Sequence, residues 1–200
     1  GLSMSSYELI PAFAEPVADS QRVFRVLLKA LSEPGLSHAV TGVSALAELN
    51  PAAYAVALTV LDSSTAVWLS PAFRSAAVQK NLAFHTGCTF VERPEQAMFA
   101  FLTEAELESV ALLNPGTDRD PEFSCTAIVQ LQELGSGSET IWSGPGIAEQ
   151  RRVRLTLDPM FWQVRSQKNH FPRGVDVLFV AQNSVLGLPR TTQVQPGNEG

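Results

Sequence analysis

Glu149, Arg173, Asp176, Arg190, Thr191 and Thr192 bring together the side-chain types that bind an anion or hold one another as ion pairs. They sit in three strings: Gly144-Pro145-Gly146-Ile147-Ala148-Glu149, Phe171-Pro172-Arg173-Gly174-Val175-Asp176 and Leu188-Pro189-Arg190-Thr191-Thr192. Each string sets Gly or Pro beside a charge, so backbone shape and a polar side chain are specified together. Gly permits positive φ and close approach, and Pro holds φ near about −65°. Arg190-Thr191-Thr192 offers a planar guanidinium and two hydroxyls, a donor set suited to a phosphate or a carboxylate. Two other roles fit the same residues. Glu149 or Asp176 can pair internally with Arg190 or Arg173 and hold the turns, or the cluster can be a surface that another subunit recognises.

Other chemistries find little footing. His38, His85 and His170 lack His-x-His or His-x-x-x-His spacing, and neither Cys88 nor Cys125 lies near them, so no metal is expected. His85 reads instead as a cation complementing a helix C-terminus. The Gly-x-x-x-x-Gly-Lys-Ser/Thr loop is absent, and Lys29, Lys80 and Lys168 are the only lysines. There is no Gly-x-Ser-x-Gly elbow, and no catalytic residue is assigned.

These residues need a frame, and composition says what kind. The chain has 200 residues, 45% of them hydrophobic, enough to fill a core without disulfides or metals. The two cysteines are expected as reduced, buried thiols. A net charge of −6 makes a poor match to nucleic acid or anionic membranes. The longest apolar stretch, Ala52 to Leu61, is about half of the ~20 residues that span a bilayer. No signal-peptide pattern opens the sequence, Gly1-Leu2-Ser3 reads as a cloning remnant, and a cytoplasmic protein is expected. One domain is expected over residues 4–195, with 196–200 as a tail.

Met4 to Ala18 reads as an arm. Asp19 is an N-cap for a helix whose Val23, Phe24, Leu27, Leu28 and Leu31 form an apolar stripe, ended by Glu33-Pro34-Gly35. Arg22, Arg25 and Lys29 line the opposite face, either simply solvated or a docking face for an acidic partner. Asn50-Pro51 and Ser70-Pro71 each place a capping side chain before a Pro at the first helical position. The first predicts a buried helix to Leu61, although Ala55–Leu61 also fits a strand. The second predicts a helix from about Ala72 to Phe84, closed by Gly87. Strands are expected at Ala66–Leu69, Cys88–Glu92 and Ala97–Leu102. Thr103 with Glu106 makes a capping box for a helix to about Leu113. Gly135-Ser136-Gly137-Ser138 suggests a hairpin between Ser124–Leu134 and Glu139–Trp142. Val153, Leu155 and Leu157 alternate as a strand, Asp158-Pro159 opens a helix to roughly Gln167, and Val175–Ala181 with Val185–Leu188 form a terminal hairpin. The mixture of alternating helices and strands with hairpins predicts an α/β fold, a mixed sheet covered by helices.

The three strings, in order and together with Phe24 to Gly35, resemble the PhnH family of bacterial phosphonate metabolism. The likeness extends through Val67-Trp68-Leu69-Ser70, Phe84-His85-Thr86, Pro94-Glu95-Gln96-Ala97 with Phe99, and Gly116-Thr117. The resemblance implies a three-layer α/β/α sandwich with a mixed sheet, like the pyridoxal-phosphate-dependent transferases but without the cofactor site. No lysine here follows a strand in a compact Ser-x-x-Lys turn, consistent with that loss, so no cofactor is expected. The resemblance also implies a non-catalytic subunit of the carbon–phosphorus lyase core complex, with PhnG, PhnI and PhnJ as partners. That complex joins methylphosphonate to the ribose of ATP, giving α-D-ribose 1-methylphosphonate 5-triphosphate. A homodimer is expected for the isolated subunit. The other reading is a small-molecule transferase using the cleft of a transferase-like fold.

Overall fold

A computed structural model describes residues 8–197. Gly1-Leu2-Ser3 and residues 198–200 of the expected tail lie outside them. The strands are β1 (Ser37–Ala39), β2 (Ala66–Leu69), β3 (Thr89–Phe90), β4 (Phe99–Thr103), β5 (Thr126–Gln130), β6 (Ser138–Ser143), β7 (Arg151–Leu155), β8 (Asp176–Ala181), β9 (Ser184–Leu188) and β10 (Gln193–Pro196). The α-helices are α1 (Pro16–Ser32), α2 (Pro51–Val60), α3 (Ala76–Thr86) and α4 (Met160–Lys168).

Seven strands form one mixed sheet in the order β1-β9-β8-β5-β4-β2-β3. β3, β2, β4, β5 and β8 run parallel, β9 pairs antiparallel with β8, and β1 pairs antiparallel with β9 and so runs with the parallel strands. The central strands read as unbroken apolar runs because both faces are covered. Along β8, Leu178 and Val180 point into the core shared with Val23, Leu27 and Tyr54. Val177 and Phe179 point into the opposite core, with Trp142, Val153 and Phe161. α1, α2 and α3 thus cover one face. The other face carries α4, the 3₁₀ helix Glu104–Leu112 and a three-stranded antiparallel sheet, β10-β6-β7. The expected second helical layer is therefore part helix and part sheet.

Local chemistry explains most boundaries. Asn50 caps α2 through an Ala53 N–H to Oδ1 bond of 2.8 Å, and Ala52 to Ala57 are all buried, so the strand alternative for this segment fails. Gly87 closes α3 at φ 74°. Thr103 and Glu106 form the predicted capping box, although the helix that follows is 3₁₀ and breaks helical geometry at Glu106. The terminal hairpin forms as predicted, with Gln182-Asn183 between β8 and β9.

Four expectations need correction. α1 starts at Pro16, inside the expected arm, with Glu15 at the N-cap; the Asp19 carboxylate reaches back to accept from the Glu15 N–H at 3.0 Å. Ser70 does not open a long helix, because its hydroxyl donates to Glu106 Oε1 at 2.6 Å. Pro71–Phe73 is a single 3₁₀ turn, and Ser75 caps α3 instead, accepting from Val78 N–H at 3.2 Å. The Gly135–Ser138 segment does not join a hairpin. β5 has Ala127, Ile128 and Val129 all buried and sits between two parallel partners, while β6 alternates and pairs with β7 and β10. A strand buried on both faces belongs in the large sheet, and a half-buried one in the smaller. Pro196, placed in the tail, ends the edge strand β10.

Candidate functional site

The four sequence strings converge on one end of the molecule. The turn after α1 packs against the loop after β6: a Cβ on Gly146 would lie 2.2 Å from the Ser32 carbonyl oxygen and 3.0 Å from Pro34 Cδ. No side chain fits there, and φ is 84°, so Gly is required twice over. The same loop touches the segment after β9, where a Cβ on Gly144 would meet the Thr191 carbonyl oxygen at 3.1 Å. That segment in turn meets the 171–176 string. Gly174 gives way to Arg190, whose Cβ would stand 2.7 Å from a Gly174 Cβ.

Arg190 ties this junction together. Its backbone N–H donates to Asp176 Oδ1 at 2.7 Å, and its guanidinium reaches Asp176 Oδ2 at 3.3 Å. Nη1 also donates to the Pro121 carbonyl at 2.6 Å and reaches the Pro172 carbonyl at 3.5 Å. The two side chains are 19% and 22% exposed, which places the pair at the border of the interior. Of the readings open for this cluster, internal pairing describes Arg190 and Asp176.

The other expected members distribute differently. Arg173 Nε faces Asp118 at 3.1 Å, across an exposed pair rather than toward Glu149. Glu149 is exposed, with a positive φ of 60°, on the loop between β6 and β7. Thr191 and Thr192 stay with Arg190 and line a cavity of about 590 Å³, together with Trp162, Arg165 and Asn169. Thr191 is exposed and Thr192 buried.

Arg165, on α4, is the residue the sequence reading passed over. It is buried, and its Nη2 donates to the Pro189 and Thr192 carbonyls at 2.9 and 2.8 Å. Burial pushes its guanidinium pKa down to about 10, opposed by the charge of Asp176. A signal was present: Arg165 follows the core residue Phe161 by four positions, so the buried stripe of α4 carries a cation.

The cavity is lined by Arg190, whose partner Asp176 opens β8, so it lies toward the amino ends of the parallel strands. Ligands of open α/β sheets usually occupy the carboxyl ends. Here polar residues at those ends serve the helices: Gln130 Oε1 accepts from Asn50 N–H at 2.9 Å, and Glu106 accepts from Ser70 and Thr103.

The remaining sequence candidates lie elsewhere. On α1, Arg22 is held by Asp19 and donates to the Thr41 carbonyl, Lys29 pairs with Glu33, and Arg25 is exposed. Phe24 and Leu28, expected in the buried stripe, are 49% and 53% exposed. The sheet and α2 take only Val23, Leu27 and Ala30, so the outer side of α1 is apolar beside its basic row. Lys80 is exposed on α3, and Lys168 donates to the Ala111 carbonyl at 2.6 Å. His85 falls in the last turn of α3 as expected, bonded to the Ile10 carbonyl. Cys88 and Cys125 are buried and unbridged. Among the described residues no group of three His, Cys, Asp or Glu is placed to hold a metal, and no helix is long and apolar enough to cross a membrane.

Comparison with known proteins supplies the family. Residues 11–195 match the family described as bacterial phosphonate metabolism protein (PhnH). The chain belongs to the PhnH family. It is 36% identical over 192 residues to the α-D-ribose 1-methylphosphonate 5-triphosphate synthase subunit PhnH of Rhizobium meliloti strain 1021, covering 92% of this chain and 94% of that protein. It is also 36% identical over 81 residues, 40% of this chain and 42% of the other, to HtxG of Stutzerimonas stutzeri, named as a candidate C-P lyase subunit. In this PhnH-family chain the converging strings build a junction of turns, with Arg190 at its centre.

Proposed function

We propose that this protein serves in the cytoplasm as the PhnH-type subunit of a phosphonate-degrading assembly, beside PhnG-, PhnI- and PhnJ-type subunits. It is required where methylphosphonate and ATP become α-D-ribose 1-methylphosphonate 5-triphosphate, and it contributes no reacting group. The observation that carries this reading is the likeness to a named synthase subunit along nearly the whole of both chains. The junction supports the non-catalytic part. Arg190 and Asp176 are committed to each other and to backbone carbonyls, whereas a catalytic acid or base must be free to exchange a proton.

The mixed sheet with three helices on one face supports a further reading, a reduced relative of the pyridoxal-phosphate-dependent transferases that works without the cofactor. Partner docking falls on the outer face of α1. Val17, Phe24 and Leu28 follow one line of the helix, with Arg25 and Lys29 on the next, an apolar stripe bordered by cations. Such a face suits a partner subunit with an apolar patch edged by carboxylates. Co-expression with PhnG-, PhnI- and PhnJ-type subunits tests the assignment. The expected result is a single co-eluting complex; a chain that elutes alone in the presence of all three contradicts it.

A further inference from the structure

The cavity beside Arg190 has a composition at odds with the rest of the molecule. The protein carries a net charge of −6, yet the lining of this cavity holds two arginines, Arg165 and Arg190, and no carboxylate. Two polar atoms of its lining residues, Arg165 Nε and the Thr192 hydroxyl, are buried without a hydrogen-bond partner. Arg165 is 7% exposed and Thr192 3%. Leaving a buried donor unpaired is costly, more so for a charged group, and native proteins rarely tolerate it without a reason.

Further donors stand around these two. Ser166 and Thr191 present hydroxyls at the exposed side of the cavity. Asn169 Nδ2 uses one hydrogen on the Arg190 carbonyl, at 3.4 Å, and an amide nitrogen has two. These donors outnumber what the two oxygens of a carboxylate can take up, and they suit the three free oxygens of a phosphate ester. At about 590 Å³ the space exceeds the needs of a bare anion, and Trp162 and Phe171 offer it aromatic walls.

We propose that this cavity is a binding site for a phosphate-type oxyanion carrying an organic group, with Arg165 and Thr192 gripping the anionic head and Trp162 and Phe171 flanking the remainder. The inference is independent of the assembly role above, since it rests on the cavity alone.

Inorganic phosphate is the probe, titrated into the full chain at constant ionic strength, with melting temperature and tryptophan emission as readouts. A saturable rise in melting temperature is expected with phosphate and not with acetate. Thr192→Val removes a hydroxyl that has no partner within the fold, and Ser166→Glu places a negative charge at the exposed wall. Both variants are expected to melt like the parent without phosphate and to bind it about tenfold more weakly or worse. Absence of a saturable response overturns the proposal, as does equal binding by parent and both variants. A response to acetate equal to that of phosphate overturns the assignment of a phosphate-type head.

Discussion

At the scale of single residues, the cluster that stands out in the sequence is first a device for holding turns. Arg190 ties Pro121 to Pro172 and Asp176 of the 171–176 string, two stretches far apart in the chain's order. Arg190→Ala is expected to lower stability by about 2 kcal/mol, less than the roughly 3–5 kcal/mol of a fully buried pair because both partners retain some solvent. Chemical denaturation measures this, and an unchanged midpoint would return Arg190 to the surface-recognition role. Glu106 makes a second test. Burial raises its pKa, but hydrogen bonds from Ser70, Thr103 and Ala72 together outweigh that and leave it below the ordinary 4.5. A depressed carboxylate stabilises the fold above its unfolded value, and the contribution disappears as pH falls through the lower native value. Glu106→Gln should therefore destabilise the protein at neutral pH and flatten the acid side of its pH–stability curve; parallel curves for parent and variant would contradict this. Arg165 escaped the sequence reading because an arginine among helical residues is ordinary until its neighbours are known to be buried.

At the scale of elements, what the sequence spells locally is what the fold keeps. Asn50-Pro51, Thr103 with Glu106, and Gly87 are instructions carried by two to four adjacent residues, and all three act as read. The failures are non-local. Nothing adjacent to Ser70 announces that its hydroxyl will be taken by Glu106, 36 positions on. Nothing within Gly135–Ser138 tells that β5 will be claimed by parallel partners on both sides. β1 and β10 were missed for being short, polar edge strands with little periodicity to show. The apolar pattern of α1 is wider than the surface that covers it, and that surplus is itself a prediction. Phe24→Glu with Leu28→Glu should leave melting temperature nearly unchanged, since both sites are about half exposed. The same pair should abolish co-elution with the partner subunits; retained co-elution would move the docking face elsewhere.

At the scale of the molecule, a family role meets a frame whose Gly- and Pro-bearing strings serve one junction. The apolar outer face of α1, with Phe24 and Leu28 about half exposed, leads us to expect self-association of the isolated subunit. Sedimentation at micromolar concentration should give a species of twice 21.6 kDa, and a clean 21.6 kDa species would contradict it. We propose that the chain is required in the synthase assembly without supplying a reacting group. Its most direct test is reconstitution with PhnG-, PhnI- and PhnJ-type subunits, following α-D-ribose 1-methylphosphonate 5-triphosphate formed from ATP and methylphosphonate. The expected result is product only when this chain is present, and an unchanged rate per assembled complex when Asp176→Asn replaces the carboxylate paired with Arg190. Full product formation without the chain, or an assembled Asp176→Asn complex that has lost its activity, would contradict it.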